Sequence, residues 1–178
     1  MPLHAQLNVT PDGFCNAEDV VADDDFMNFA TDLIDGADRI VLGRRTYELF
    51  VVHWPAAARD STLSLAEQRL GRAIDETPRT VVSRSMTGSA WARTVVLSDL
   101  TAESARELAQ GGTALILGSP SIITQVAEWG LLDRLHLTAH PVMGGDGVRP
   151  FDRPPASLTA AGRSELPSGV TDFRFEHA

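Results

Sequence analysis

The sequence contains no lysine, so all fifteen of its basic residues are arginine, and they stand against 24 acidic residues for a formal net charge of −9. A field of that sign repels polyanions, which excludes nucleic acid and anionic membrane surfaces as partners. A small anionic ligand held by a local arginine cluster remains. The single cysteine, Cys15, cannot build a disulfide framework. No apolar run is long enough to cross a bilayer. The opening MPLHAQLNVTPDGF shows neither the basic leader nor the apolar stretch of a secretory signal. These absences point to a cytoplasmic protein. Its 178 residues suit one domain, 1–178, better than two small ones that would each be short of buried area. No repeat, low-complexity tract or dividing linker interrupts it.

Hydrophobic periodicity supplies the elements. Residues 3–9 (LHAQLNV) read as a strand ending in the turn residues Pro11-Asp12-Gly13. Phe26, Phe29, Ala30, Leu33 and Ile34 recur at helical spacing behind a run of aspartates, predicting a helix over 24–35 stopped by Gly36. Residues 38–43 (DRIVLG) read as a buried strand entering a helical GRRTYELF. Residues 55–62 read as loop, 63–74 as helix and 79–83 as strand. Strand 94–97, helix 101–112, strand 113–118, helix 119–129 and strand 133–139 follow. This alternation is the pattern of parallel strands with crossover helices. The end differs. Segments 156–165 and 170–176 flank Leu166-Pro167-Ser168-Gly169, and Phe173 and Phe175 alternate with Asp172, Arg174 and Glu176. A terminal hairpin is expected, so the fold class is α/β with a mixed, mostly parallel sheet flanked by helices.

Three junctions have anion-binding character. Gly43-Arg44-Arg45-Thr46 joins a strand to a helix, where free N–H groups and the positive dipole end attract phosphate and the arginines add forked donors. Val82-Ser83-Arg84-Ser85 follows another strand. Leu117-Gly118-Ser119-Pro120-Ser121-Ile122 leads from a strand into a helix, with Ser119 suited to the N-cap and Pro120 to the first helical position. Each has a purely structural reading as capped helix or solvated turn. Together, at the carboxyl ends of strands in one sheet, they favour a dinucleotide.

DGF (12–14), IVLGRRTYE (40–48), TVVSRSM (80–86), LILGSPSI (115–122), LLDRLHLT (131–138) and PVMGGDGVRPF (141–151) resemble, in order, the blocks of the dihydrofolate-reductase-like superfamily. The chain is most similar to the bacterial branch typified by the reductase domain of riboflavin biosynthesis. That resemblance implies an NADPH-dependent reductase acting on a small heterocyclic or carbonyl-like substrate, as a homodimer. Arg44 and Arg45 would then meet the 2′-phosphate and Thr46 the pyrophosphate. Ser83 and Arg84 would lie on the adenosine phosphate side, and Gly118, Ser119, Ser121 and Ile122 along the pyrophosphate. Asp12 and Gly13 would belong to a loop near the nicotinamide. One departure stands out: the family has two glycines where this chain has Gly118-Ser119, and a serine side chain crowds the pyrophosphate approach. A non-catalytic ligand-binding or sensor protein on the same fold is the alternative.

On the substrate side, the acid and threonine that hold the pterin in dihydrofolate reductases resemble Asp25 and Thr138, with Asp23 and Asp24 as rivals for the acid. All three aspartates also suit a helix N-terminus. His136 and His140 would share a strand face about 13 Å apart, too far for one metal ion, so no metal site is expected. Trp54-Pro55 is expected near the pocket, and Gly144, Gly145 and Gly147 in a tight turn.

Overall fold

A computed structural model describes residues 2–151 and 157–177. In chain order the elements are β1 (Leu3–Val9), a 3-10 turn (Ala17–Asp19), α1 (Asp24–Asp35), β2 (Arg39–Gly43), α2 (Arg44–Ala57), α3 (Leu65–Glu76), β3 (Arg79–Val82), β4 (Thr94–Leu97), α4 (Ala102–Leu108), β5 (Ala114–Leu117), α5 (Pro120–Glu128), β6 (Arg134–Ala139), β7 (Leu158–Glu165) and β8 (Thr171–His177). The strands form one sheet in the order β4-β3-β2-β5-β1-β6-β8-β7. Neighbours from β4 to β6 are parallel, while β8 runs antiparallel to both β6 and β7. This is the mixed, mostly parallel sheet with a terminal hairpin that the sequence predicts.

Alternation along each strand divides the core into two layers. Leu3, Ala5 and Leu7 of β1 pack with Val41, Ile116 and the α4 and α5 residues Ala105, Ile123 and Val126. On the other face Ile40, Leu42, Leu115 and Leu117 meet Met27 and Ile34 of α1 and Leu70 and Ile74 of α3. Beneath α1 that second face turns polar, because the alternate residues of β1 and β6 there include Gln6, Asn8, His136 and Thr138.

Two expected boundaries are corrected. Residues 55–57 are helix rather than loop, since α2 continues through Pro55 and the Ala58 N–H donates to Trp54 O at 3.1 Å. Proline forfeits one intrahelical bond, and close packing holds the last turn in place. Ala57 and Ala58 are buried, and a Cβ on Gly71 of α3 would lie 2.7 Å from Ala58 N. In the terminal hairpin β7 is the edge strand and β8 lies between it and β6. Along β8 burial does not follow the alternation: Asp172 is 3% exposed and Phe173 38%, while Phe175 packs against the core. Asp172 is drawn in by a hydrogen bond from His136 Nδ1 at 2.8 Å, whose ring lies edge-on to Phe29 of α1. The hairpin loop closes through Leu166 N–H to Val170 O, so β8 starts at Thr171 rather than Val170. Residue 156, the expected start of the preceding strand, lies outside the described residues.

Candidate active site

A cavity of about 1210 Å³ opens at the carboxyl ends of β1, β2, β3 and β5. Phe26, Met27, Ala30 and Ile34 of α1 and Phe50, His53 and Trp54 of α2 form much of its wall. Gly43, Arg44, Arg45 and Thr46 line it, as do Gly118, Ser119, Ser121 and Ile122. Two of the three expected junctions therefore meet on one cavity.

Gly43 is the N-cap of α2 and contributes no side chain, so the N–H groups of residues 44–46 lack intrahelical acceptors and remain available to a ligand. The Arg44 guanidinium is tied to Glu48, one turn on, at 2.7 Å. Arg45 is exposed and has no ion pair among the described residues. At the second junction Pro120 occupies the first helical position of α5, but the Ser119 hydroxyl does not cap that helix. Ser119 sits in the left-handed region at φ 58, and its Oγ accepts the Gly43 N–H at 2.6 Å, within 3.2 Å of Thr46 Oγ1. The side chain thus joins the two junctions and covers one N–H that would otherwise face the cavity.

The third junction stands apart. The lining reaches Val82 but neither Ser83 nor Arg84. Ser83 Oγ accepts the N–H groups of Ser85 and Met86 in a tight turn, and Arg84 pairs with Asp99 at 3.3 Å where both are largely exposed. Asp12 is also spent locally. Its carboxylate accepts from Thr10 Oγ1 and from the N–H groups of Gly145 and Gly144, which together hold its pKa down to about 2. Gly144 and Gly145 therefore bind a carboxylate of the chain itself. Gly13, at φ 88, makes the turn, and the loop borders the cavity through Cys15, Asn16, Ala17 and Glu18 instead.

No contact brings Asp25 and Thr138 together among the described residues. Asp25 is exposed at the start of α1 and outside the cavity lining. Its rivals are occupied: Asp23 caps α1 through the Phe26 N–H, and Asp24 accepts from Ser64 Oγ at 2.6 Å. Thr138 is fully buried, and its hydroxyl oxygen accepts from Gln6 Nε2 at 3.0 Å.

The polar floor that Thr138 belongs to escaped the sequence reading. Gln6 Nε2 also donates to Asn8 Oδ1 at 2.7 Å, His140 Nε2 lies 3.0 Å from the same oxygen, and His140 Nδ1 accepts the Val21 N–H at 3.0 Å. Burial pushes His140 down to a pKa of about 4, against a smaller opposing pull from Asp23. Gln6 and Asn8 line the cavity. A signal was available: polar residues recur at every second position in both LHAQLNV and the HLTAH of 136–140, which is a polar sheet face rather than a solvated one.

A model of the RibD C-terminal domain family matches residues 5–171, and the chain belongs to that family. It is 28% identical over 147 residues to the uncharacterized protein YyaP of Bacillus subtilis, covering 79% of this chain and 75% of that one. Among solved structures, a pyrimidine reductase-like protein of Corynebacterium diphtheriae superposes with a TM-score of 0.67 at 18% identity, covering 99% of this chain and 92% of the other. RibD of Acinetobacter baumannii gives a TM-score of 0.70 at 10% identity, over all of this chain and 58% of its own length. The fold is therefore the dihydrofolate-reductase-like fold of the RibD reductase domain. No helix among the described residues is long and apolar enough to cross a membrane.

Proposed function

We propose that this protein is an NADPH-dependent reductase that passes hydride to a small pterin- or pyrimidine-like heterocycle or to a carbonyl-like substrate. The observation that carries this reading is the convergence of the α2 and α5 N-termini and of Arg45 on one cavity at the carboxyl ends of parallel strands. Such a place favours the phosphates of a dinucleotide. The residues fit that group. A Cβ on Gly118 would come within 3.2 Å of Thr46 Oγ1, so a bare backbone is kept where phosphates would approach. Arg45, with Arg44 beside it, would hold the 2′-phosphate, and the free α2 N–H groups with Thr46 the pyrophosphate. The bound nicotinamide supplies the hydride, while the chain positions the reactants and excludes water behind Phe26, Phe50 and Trp54. Membership of the RibD reductase-domain family and likeness to a pyrimidine reductase-like protein support the same chemistry.

Calorimetry with NADPH and NADH at fixed salt tests the reading. NADPH is expected to bind about tenfold more tightly, since one charge-assisted phosphate contact contributes roughly 1.5–3 kcal/mol. Equal affinities would remove the 2′-phosphate role. Binding of neither would favour a ligand-binding or sensor protein, the reading to which the Ser119 hydroxyl on the Gly43 N–H lends support. Assembly as a homodimer through the hairpin is part of the proposal. Residues Thr159–Glu165 of the edge strand β7 are exposed, and Phe173 beside them is an exposed large hydrophobe. Light scattering at micromolar concentration should give twice the chain mass, and a monomer throughout that range would count against it.

A further inference from the structure

Where aspartate precedes glycine, the glycine nitrogen can attack the aspartate carboxyl group, because no Cβ hinders its approach and the backbone is free to take the angles of ring closure. The chain has three such pairs, Asp12-Gly13, Asp35-Gly36 and Asp146-Gly147. The reaction needs a free nitrogen and a free carboxyl group, and the fold treats the three pairs differently. At the first both groups are engaged: Gly13 N–H donates to Thr10 O at 2.9 Å, and the Asp12 carboxylate accepts from Thr10, Gly144 and Gly145. At the second, Gly36 N–H closes the last turn of α1 by donating to Asp32 O at 3.2 Å, and Asp35 belongs to the helix. At the third, neither the Asp146 carboxylate nor Gly147 N–H has a hydrogen-bond partner among the described residues, and both residues are exposed.

The third pair is held in this state by Asn16. Its Nδ2 donates to Asp146 O at 2.8 Å, and its Oδ1 accepts the Val148 N–H at 2.9 Å. The C=O and N–H of a trans peptide point opposite ways, so with Asp146 O turned to Asn16 the Gly147 N–H points away from it. The same bracket requires the glycine, since Gly147 sits at φ 119 and a Cβ there would collide with the Asn16 carboxamide. We infer that Asp146-Gly147 is a site of spontaneous isomerisation to isoaspartate. The Gly147 nitrogen forms a bond to Asp146 Cγ as the Cγ–OH bond breaks, and the hydroxyl leaves with the nitrogen's proton as water, giving a cyclic imide. Water then adds at the former backbone carbonyl and breaks its bond to that nitrogen. The main chain now runs through Cγ, the α-carboxylate is free, and the mass is unchanged. The amide carbonyl that Asn16 held is lost. Asn16, with Cys15 N–H donating to Val148 O at 2.8 Å, ties the segment Cys15 to Glu18 to the segment Val148 to Pro150, and both line the cavity. Isomerisation therefore loosens that wall.

The test compares the folded full chain with the same chain in guanidinium chloride, both incubated at physiological pH and temperature. Isoaspartate is counted by enzymatic methylation of the free α-carboxylate and located by electron-transfer fragmentation of the peptides. Unfolded, the three pairs should react at similar rates, since each is Asp-Gly. Folding should slow the reaction at least about tenfold at Asp12, where several bonds must break, and at least about threefold at Asp35. Isoaspartate should therefore gather first at 146 in the folded chain. Asp146→Glu, whose longer side chain would have to close a larger ring, should leave the folded chain almost free of it. In the isomerised protein, hydrogen exchange at the Cys15 and Val148 N–H groups should quicken while that of β5 stays unchanged. Isoaspartate arising first at 12 or 35, or a folded chain unmodified at 146 while the unfolded one reacts, would overturn the assignment. Unchanged exchange at both N–H groups in the isomerised protein would overturn its link to the cavity wall.

Discussion

The two sides of the cavity are built by different means. At the β2–α2 and β5–α5 junctions the groups offered to a ligand are mainly backbone N–H groups, set by turns a few residues long. On the floor, side chains of β1 meet partners 132 residues away on and beyond β6, and His140 reaches back 119 residues to Val21. Local backbone geometry survives most substitutions around it. A buried side-chain network does not, because removing one member leaves the others unpaired. The junctions should therefore respond to mutation in affinity, and the floor in stability.

The largest effect expected is on the floor. An unfolded histidine titrates near 6.5, whereas burial holds His140, 1% exposed, to about 4. Above that range both states are neutral and pH has no leverage through this group. As pH falls from about 6.5 toward 4, the unfolded chain takes up a proton that the folded one refuses, so stability drops by roughly 3 kcal/mol and levels off below. Asp12 acts in a lower window: its folded pKa of about 2 lies beneath the usual carboxylate value, so its contribution is lost only as pH falls through that range. Urea melts between pH 7 and 4.5 should show the His140 slope, and His140→Gln should flatten it, since a carboxamide can accept from Val21 and donate to Asn8 without titrating. An unchanged slope in that variant would mean that other groups produce it and that the fold does not hold His140 neutral.

The next effect is on affinity alone. Arg45→Ala should weaken NADPH about tenfold, leave NADH nearly unchanged and shift unfolding by less than about 0.5 kcal/mol, as surface substitutions do. Arg84→Ala should change none of these, because Arg84 faces Asp99 in solvent, at 89% and 72% side-chain exposure, away from the cavity. Calorimetry with both cofactors separates the two arginines. Should Arg84→Ala cost as much as Arg45→Ala, the junction after β3 belongs to the site after all.

What was legible in the sequence follows the same division. Gly43-Arg44-Arg45-Thr46 and Gly118-Ser119-Pro120 declare themselves because turn, cap and anion-binding chemistry are written in consecutive residues. The parallel alternation and the antiparallel end also follow from periodicity and turn residues, whereas the strand order does not. The floor was hidden because its meaning lies in pairings that only the closed sheet creates. Asp172 and Phe173 illustrate this: alternation gives two faces of β8 without saying which residue of each is buried, and of the two phenylalanines only Phe175 packs against the core. Asp172 is buried because His136 offers it a hydrogen bond. Pro55 was misread for a related reason, since the packing of Ala57 and Ala58 on Gly71 is invisible to a residue-by-residue propensity. The buried Arg79 is another case. Its guanidinium donates to the carbonyls of Ile74, Asp75, Thr77 and Ala92 and lies 3.9 Å from the centre of the Trp91 ring, a structural use for an arginine that composition alone would leave on the surface.

The smallest expected effect concerns the one residue that mixes the two modes of construction, Ser119, whose side chain closes a backbone site. In Ser119→Gly two stability terms oppose each other. A non-glycine residue at φ 58 carries about 1–2 kcal/mol of strain that glycine would relieve, while the hydrogen bond from Gly43 is lost, at roughly 1 kcal/mol. Glycine also makes the unfolded chain more flexible, which takes back part of the gain. The melting temperature should therefore move by only a few degrees in either direction. Affinity should move more clearly. Without the hydroxyl the Gly43 N–H joins those of residues 44–46 in facing the cavity, and an added donor to a phosphate oxygen should tighten NADPH about three- to tenfold. Because the pyrophosphate is common to both cofactors, NADH should gain by the same factor, unlike the Arg45→Ala result, which distinguishes them. A loss of affinity for both would mean that the Ser119 hydroxyl itself contacts the ligand, and the junction would then depend on a side chain as the floor does.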